Sequence, residues 1–393
     1  MAKRNLWVLT IVMFMLASCY TMLVPFLPVY LLELGVAKSD VPIWSGVVFS
    51  ITFFVAGIMA PIWGKMADTS GKKRMAVRAA FAIGLSYFLG GLVTGPWELL
   101  GMRIVQGVAN GYMPAAMAIV SAGADKNKLG ESLGIFQAGQ ILGGIAGPLM
   151  GGLMADWIGM RNSFFLGAAV LWVAGTAVIL LVKEPEGMLA KRKQTSIVSD
   201  LKESMHNPML MELLSFNFCL QAVILMLQPI LALYIGQMQG SMDGVIVVSG
   251  IILSCGGLAG AVMTPLWGKF GQNNGYFLAM AIAFSGAGIA LFLQAFPDTV
   301  WLFGLLQMAV GTFIVGANPA INASLVQCTA AEFRGRAFGM ATTAQQFGGM
   351  FGPLLASLVA TWLGMEYIFM LAGTVLFLVG FRIYTAHVRR GDR

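Results

Sequence analysis

Charged side chains are scarce in this sequence. Asp, Glu, Lys and Arg make up 10% of its 393 residues, whereas they make up about a quarter of an ordinary soluble chain. Hydrophobic residues make up 58%, a share too large for the interior of a water-soluble fold of this length. The composition excludes a soluble globular protein and predicts helices that cross a lipid bilayer.

Histidine and cysteine are also scarce. The chain has two histidines and four cysteines, and the latter (Cys19, Cys219, Cys255 and Cys328) lie far apart with no spacing typical of a metal or redox site. There is no histidine cluster, paired aspartate, Gly-x-Ser motif or phosphate-binding loop within the apolar segments. We therefore expect no metal and no cofactor, and a membrane-embedded enzyme is a remote alternative. A sensor or scaffold would need a charged soluble output domain, which is also missing.

Apolar segments of about 20 residues, separated by short polar connections, fill most of the chain. Hydropathy predicts an all-α membrane protein with twelve transmembrane helices at approximately 7–33, 42–65, 75–95, 97–123, 133–156, 162–183, 209–236, 244–267, 276–296, 300–325, 337–361 and 366–386. The longest polar stretch contains Lys191-Arg192-Lys193 and divides the chain. We predict an N-terminal six-helix bundle (1–183), a cytoplasmic linker (184–207) and a C-terminal six-helix bundle (208–393).

Basic residues are distributed unevenly about these spans. Of the 24 Lys and Arg residues, all but Lys38, Arg161 and Arg103 fall on the side of the membrane that holds the amino terminus. Lys and Arg favour the cytoplasmic side, so both termini are predicted to be cytoplasmic in a multi-pass protein of the inner membrane. The net charge of +7 therefore reflects topology, and no nucleic-acid partner follows from it.

The two halves repeat. At an offset of 204, Pro61-Ile-Trp63-Gly64-Lys65 recurs as Pro265-Leu-Trp267-Gly268-Lys269, and Gly71 matches Gly275. At an offset of 205, Gly147-Pro148 matches Gly352-Pro353. Six helices per copy make the repeats parallel, as in transporters whose halves rock about a central site. By these offsets Asp68 and Arg103 have only uncharged counterparts, Gln272 and Met308.

Small residues recur every four positions in the fifth span, at Gly139, Gly143, Gly147 and Gly151, and the eleventh span repeats the pattern. Small residues at this spacing let helix backbones approach closely in lipid. The pattern fits either static helix packing or a surface on which the halves slide.

Two charged features stand out against this apolar background. The first is the loop 64–74 between the second and third spans, which holds Asp68 among several cations. It fits either a basic topogenic turn or a conformational latch. The second is Arg103, an ionisable group within a span and so a functional candidate. It lies near enough to the outer end of its helix that snorkelling to the interface is the alternative.

These segments resemble a known family. The loop 64–74 is similar to the signature between helices two and three of the major facilitator superfamily, and Leu99-x3-Arg103-x2-Gln106-Gly107 resembles its fourth-helix motif. Gly143-x3-Gly147-Pro148-x2-Gly151-Gly152 resembles the fifth-helix packing motif of its drug:proton antiporters. The segments 25–28 and 43–52 look like those of MdtG-type multidrug exporters. The resemblance covers essentially the whole chain.

The resemblance implies roles for particular residues. Gly64, Asp68, Gly71 and Lys72 would form the latch, and Arg103 would serve proton or substrate coupling. Two departures stand out. Thr69 replaces the usual basic residue after the aspartate, and Cys19-Tyr20-Thr21-Met22 stands where many antiporters carry an acid. None of the 17 carboxylates falls in the middle of a span. The remaining titratable candidates are Asp68, Glu33, Asp125, Asp156 and Glu212, all near span ends.

Neutral polar residues within the spans are the candidates for the substrate cavity. They share helix faces with one another, and they accompany many Phe and Met side chains, which suit a loosely specified lipophilic ligand. The candidates are Tyr20, Gln137, Gln140, Asn217, Gln221, Gln228, Asn318, Asn322 and Gln345. Hydrogen bonding between helices is the alternative role for each of these residues.

The combined prediction is a secondary active transporter, monomeric and without a cofactor. It would export amphipathic drugs or dyes by alternating access, and the resemblance implies exchange for protons. A transporter of the same fold that exports one metabolite, such as a sugar or nucleoside, is the alternative.

Overall fold

A computed structural model describes residues 2–123, 129–184, 207–329 and 334–388, and these residues are overwhelmingly helical. The first half contains α1 (Ala2–Glu33), α2 (Val41–Ser70), α3 (Lys72–Leu92), α4 (Pro96–Ala109), α5 (Tyr112–Gly123), α6 (Leu129–Ile158) and α7 (Met160–Leu181). The second half contains α8 (Pro208–Met226), α9 (Leu231–Gln239), α10 (Val245–Asn274), α11 (Tyr276–Leu293), α12 (Val300–Ile314), α13 (Ala317–Gln327), α14 (Arg334–Trp362) and α15 (Glu366–Ile383). A π-helical turn, Tyr384–Val388, follows α15.

Ten helical segments of the described chain are long and apolar enough to cross a membrane. They correspond to ten of the twelve predicted spans. The predicted span 97–123 is helical but broken at Asn110 and Gly111 into α4 and α5, each shorter than a membrane crossing. The predicted span 337–361 lies within α14, which is rich in polar and small residues. These two spans remain predictions.

Breaks also divide the seventh and tenth predicted spans into helix pairs, α8 with α9 and α12 with α13. At the break between α4 and α5, Gly111 has φ +119°, a conformation that glycine adopts without steric cost. A protein-lined bundle tolerates interrupted helices because neighbouring groups satisfy the freed backbone atoms.

The chain divides into two compact units. Unit 1 comprises α1 to α7 together with Gly244–Ser254, and unit 2 comprises α8, α9 and the chain from Cys255 onward. In unit 1, α1 packs along α6 and α3 along α7; in unit 2, α8 packs along α14 and α11 along α15. Of the predicted linker 184–207, only Glu184 and Asn207 lie within the described residues, so the predicted bundle boundaries stay predictions.

The sequence repeat is visible in local geometry. The Trp63 indole N–H donates to the Val108 carbonyl at 2.8 Å, and Trp267 donates to the Thr312 carbonyl at 2.7 Å. Between α2 and α3, Gly71 has φ +98° and ψ 144°, and its counterpart Gly275 has φ +95° and ψ 142°. The two units thus reproduce the same turn and the same tertiary hydrogen bond.

The contacts of two matching glycines show which residue of unit 2 corresponds to Arg103. Gly107 lies against the Thr52 carbonyl and Gly311 against the Gly256 carbonyl, so the offset of 204 still holds within α4 and α12. Arg103 therefore corresponds to Gln307, and the expectation of Met308 was wrong by one residue. The offset becomes 205 only at the following break, where Gly111 matches Gly316 and each lies against its unit's tryptophan.

Candidate functional site

Arg103 is the most deeply buried charged residue of the described chain, with 1% of its surface exposed. Its Nε donates to the Val48 carbonyl of α2 at 3.0 Å, and its Nη1 donates to the Gln106 side-chain oxygen one turn further along α4. The guanidinium is thus held inside unit 1, and snorkelling to the interface does not describe its position.

Aromatic side chains from three other positions surround the guanidinium. Phe49 of α2 presents its ring with its centroid 5.3 Å from the Arg103 Cζ atom, a distance within cation–π range. The hydroxyls of Tyr20 in α1 and Tyr87 in α3 both lie close enough to interact electrostatically with Arg103. Tyr20 also packs edge-to-face against Phe53 at 6.3 Å between centroids.

Two polar atoms of this cluster lack hydrogen-bond partners. The Arg103 Nη2 and the Tyr20 hydroxyl are both enclosed, and neither makes a hydrogen bond within the described structure. The two groups lie close enough to interact with each other. The Tyr87 hydroxyl, by contrast, donates to the Cys19 carbonyl. Among the described residues no Asp or Glu pairs with Arg103, whose hydrogen bonds go to neutral groups.

A second arginine of the same unit, Arg78, is half-buried, and its Nε, like the Arg103 Nη2, lacks a partner within the described structure. It stacks on Trp63 with its Cζ 3.7 Å from the ring centroid. Its two terminal nitrogens donate to the carbonyls of Val108 at 3.3 Å and Asn110 at 2.7 Å. These carbonyls close the carboxyl end of α4, where the helix dipole favours a cation.

The segment 64–74 that was predicted to be the latch loop is helical except at Gly71, because α2 continues to Ser70 and α3 begins at Lys72. The side chain of Asp68 is outside the described structure, and Gly64 is exposed at the end of α2. The Lys72 backbone N–H donates to the Glu184 carboxylate at 2.6 Å, and a Cβ on Gly71 would lie 2.9 Å from the same carboxylate. Glu184 therefore caps the amino end of α3, a favourable place for a negative charge.

The chain just before Glu184 is also tied to α1. Asn5 donates to the Lys183 carbonyl at 2.6 Å and accepts from the Lys183 backbone N–H at 3.1 Å. Local sequence did not indicate either contact, because Asn5 and Lys183 are 178 residues apart. The end of α7 is thereby fixed to both α1 and the predicted latch loop.

Unit 2 places neutral amides where unit 1 places a charge. Gln307, the counterpart of Arg103, accepts a hydrogen bond from the Gln294 amide at 2.8 Å. Of the predicted cavity residues, Gln345 of α14 donates to the Asn217 side-chain oxygen of α8 at 3.0 Å. Asn217 is 1% exposed, and its Nδ2 lacks a partner within the described structure.

The other predicted cavity residues differ in burial. Gln137 and Asn322 are exposed, whereas Gln140, Gln221, Gln228 and Asn318 are half-buried. Gln228 lies in the break between α8 and α9, and its Oε1 is enclosed without a partner within the described structure. Their role as substrate contacts stays a prediction.

The predicted packing motif of α6 lies on two faces. A Cβ on Gly143 would come 2.8 Å from the Ala17 Cβ, and one on Gly151 would come 2.7 Å from the Met22 Cβ, so both glycines face α1. Gly147 faces Ser18 and Thr21 of α1 in the same way, whereas Gly152 faces the backbone of Val247. The small-residue ridge allows close packing inside unit 1, and sliding along it stays a prediction.

The predicted titratable candidates near span ends occupy ordinary positions where they are described. Glu212 forms an ion pair with the Nε of Arg382 at 3.3 Å. Glu33 and Asp156 are exposed at helix ends. Asp125 lies outside the described residues. Burial and charge thus single out the Arg103 cluster within the described chain.

Repeated bundles of membrane-spanning helices are typical of membrane transporters. The family model of the Major Facilitator Superfamily matches residues 9–293 and 248–392, and the chain belongs to that family. It is a multi-pass membrane transporter and not an enzyme.

Relatives extend the match over nearly the full length. The chain is 32% identical over 376 residues to the multidrug resistance protein MdtG of Escherichia fergusonii, covering 95% of this chain and 92% of that relative. Among solved structures, a variant of the nucleoside transporter NupG superposes with a TM-score of 0.81 at 15% identity, covering 97% of this chain and 99% of that one. A bacterial homologue of the human lysosomal transporter Spinster also reaches 0.81, at 14% identity, covering 99% and 97%. At these identities the structural likenesses establish the fold alone.

Proposed function

We propose that this protein exports amphipathic drugs or dyes across the cytoplasmic membrane by alternating access, in exchange for protons. The observation that carries the proposal is the near full-length similarity to a protein named for multidrug resistance. The interior chemistry supports it. Among the described residues the buried polar groups are mostly hydroxyls and neutral amides, which suits lipophilic cargo better than a fixed charged site for one metabolite.

Roles for charged residues complete the proposal. Asp68 and Lys72, with Gly64 and Gly71, would latch one conformation at the cytoplasmic face, where the distribution of Lys and Arg predicts that both termini also lie. Arg103 would take part in coupling, because it is the one fully buried cation of the described structure. The protein would act as a monomer on small lipophilic substrates.

Everted membrane vesicles test the export mechanism. An amphipathic dye such as ethidium should accumulate in the vesicles when an inside-acid pH gradient is imposed, and an uncoupler should release it. Vesicles without the protein provide the baseline. Dye movement that ignores the gradient would remove proton exchange from the proposal. Competition by nucleosides or sugars, without competition by unrelated dyes, would favour the single-metabolite alternative.

A further inference from the structure

The junction between α4 and α5 leaves the helical conformation, whereas the equivalent junction of unit 2 does not. Asn110 has a non-helical ψ of 165°, and Gly111 follows with φ +119°. Between α12 and α13, Val315 (φ −66°, ψ −24°) and Gly316 (φ −71°, ψ −23°) keep right-handed helical angles. Of the two junctions, the one in unit 1 therefore needs hydrogen bonds from outside its own helix to satisfy the backbone.

Two side chains supply those hydrogen bonds. In a continuous helix the Val108 carbonyl would accept from the Tyr112 N–H, and the bend removes that donor. The Trp63 indole N–H at 2.8 Å and the Arg78 Nη1 at 3.3 Å donate to the Val108 carbonyl instead. The Arg78 Nη2 donates to the Asn110 carbonyl at 2.7 Å. Arg78 thus bonds both the last turn of α4 and the first residue beyond it.

Unit 2 has the tryptophan but not the arginine. Trp267 donates to the Thr312 carbonyl at 2.7 Å, whereas the counterpart of Arg78, at the offset of 204 that relates the two glycine turns, is the exposed aliphatic residue Ile282. The arginine and the bend therefore occur together in one unit, and the other unit has neither. The shared fold does not itself need this cation.

Arg78 is placed so that its hydrogen bonds can be released. The side chain is half-buried, and it is held by two backbone carbonyls and by its stack on Trp63, with its Cζ 3.7 Å from the ring centroid. Because it already reaches the surface of its unit, leaving these groups would not strand a charge in an apolar interior. The fully buried Arg103 could not move away from its acceptors at the same cost.

The junction joins two helices that are bonded to different neighbours. On the α4 side, the Thr52 hydroxyl of α2 donates to the Arg103 carbonyl at 3.1 Å. On the α5 side, the Tyr112 hydroxyl donates to the Leu9 carbonyl of α1 at 3.3 Å. A change in the bend must therefore shift α1 relative to α2 or break one of these hydrogen bonds.

We propose that the α4–α5 junction is a hinge of the transport cycle and that Arg78 is the positioning residue that holds its bent state. Straightening would return the Val108 carbonyl to the Tyr112 N–H and release Arg78. Arg78 acts through the backbone of α4 and touches no substrate. The inference rests on the proposed alternating access, but not on the proposed substrate or coupling ion.

A spin-label distance across the junction tests the hinge. Nitroxides are attached at Gly101→Cys in α4 and Ala122→Cys in α5, both exposed positions, in full-length protein whose native cysteines are replaced by alanine. A continuous helix would separate the two positions by about 32 Å. We expect a shorter mean distance while Arg78 is in place, and Arg78→Leu should lengthen it by about 2 Å by favouring the straight state.

Gly111→Ala opposes the bend from the backbone side. An L side chain rarely adopts φ +119°, and the added Cβ would lie 3.2 Å from the Arg78 Nη2. This substitution should therefore lengthen the distance in the same direction as Arg78→Leu. Arg78→Lys keeps the charge but replaces the planar fork of nitrogens with one ammonium group, so it should give a smaller shift.

The matched label pair lies across the α12–α13 junction of unit 2. Its positions are Leu305→Cys, at the counterpart of Gly101, and Gln327→Cys, and both are exposed. Arg78→Leu should leave the distance between them unchanged. An equal change in this pair would overturn the proposal, because Arg78 would then act on the whole fold and not on its own junction.

The hinge should also affect turnover. Ethidium transport by Arg78→Leu in vesicles should slow by about tenfold, as conformational coupling typically provides, while equilibrium binding of ethidium to the purified protein stays within about twofold. Unchanged distances in both Arg78→Leu and Gly111→Ala would overturn the hinge. So would native turnover in an Arg78→Leu variant whose distance has shifted. If Arg78→Leu does not fold, Gly111→Ala and Arg78→Lys decide by the same two readouts.

The distance measurement needs neither a substrate nor an ion gradient. A native protein that does not move ethidium would contradict the proposed export and leave the distances to decide the hinge. Distances that stay fixed in a protein that exports ethidium would contradict the hinge and leave the export function intact.

Discussion

Units 1 and 2 share a fold but differ in what they bury at the equivalent point. Both tie their second long helix to the following broken helix through a tryptophan hydrogen bond, from Trp63 in one and Trp267 in the other. Unit 1 then buries Arg103, whereas unit 2 has the half-buried Gln307 at the equivalent position, paired with the buried Gln294. The two units thus share the same helix packing, whereas only unit 1 has a charged residue at this position.

The largest expected effect is on transport, and it should differ between substitutions at Arg103 and at its counterpart Gln307. Arg103→Leu removes the buried cation proposed to take part in coupling and should reduce transport by about a hundredfold, because coupling free energies between sites reach about 3 kcal/mol. Gln307→Leu is the matched variant at the equivalent position and should change transport less than about threefold. The measurement is dye accumulation in vesicles, normalised to protein level. Equal losses in both variants would break the proposed asymmetry.

The second prediction tests close packing, which the units are expected to share. Gly143→Ala places a Cβ 2.8 Å from the Ala17 Cβ and should destabilise the protein by about 1–3 kcal/mol through overpacking. Gly348→Ala, its repeat counterpart, places a Cβ 2.9 Å from the Ala222 nitrogen and should act similarly. Thermal unfolding in detergent provides the comparison.

Gly144 is the control for that series. A Cβ there meets nothing within 4 Å, and alanine has the better helix propensity, so Gly144→Ala should keep or raise the unfolding midpoint. If Gly143→Ala and Gly144→Ala behave alike, the close approach of α1 and α6 is not what the glycine provides.

The third prediction concerns the latch, which the sequence assigns to unit 1 alone. Asp68→Asn should lower transport by about tenfold without lowering expression, because conformational coupling of this kind typically amounts to 1–3 kcal/mol. Gln272→Asn, at the counterpart position, should leave transport near the native rate. Native efflux by Asp68→Asn would eliminate the latch.

The smallest expected effect is on stability, and it should be similar in the two units. Trp63→Phe and Trp267→Phe each remove one indole hydrogen bond and should each cost about 1 kcal/mol of stability. Trp63→Phe should cost slightly more, because Arg78 stacks on that ring. Unfolding midpoints measured side by side are the readout, and a large loss in only one variant would show that the two contacts are not equivalent.

The candidate site was only partly predictable. Arg103 stood out in the sequence because a charge inside an apolar span is costly to place there without a partner or a function. Its neighbours did not stand out, since Val48 lies 55 residues away along the chain and Tyr87 is one aromatic among many. Asn217 and Gln345 were predicted separately, and only the packing of α8 against α14 brings them within hydrogen-bonding distance.

The sequence alone determined the class of structure, since the bilayer imposes a local rule. Each span must be apolar over about 20 residues and satisfy its own backbone hydrogen bonds, so composition and hydropathy reveal helices, and an offset between motifs reveals the repeat. Tertiary structure decided what a one-dimensional pattern cannot contain. It placed the change of offset after α12, paired Gln307 with Gln294 and surrounded Arg103 with groups from three other helices, because those contacts depend on distances in space between residues remote in the chain.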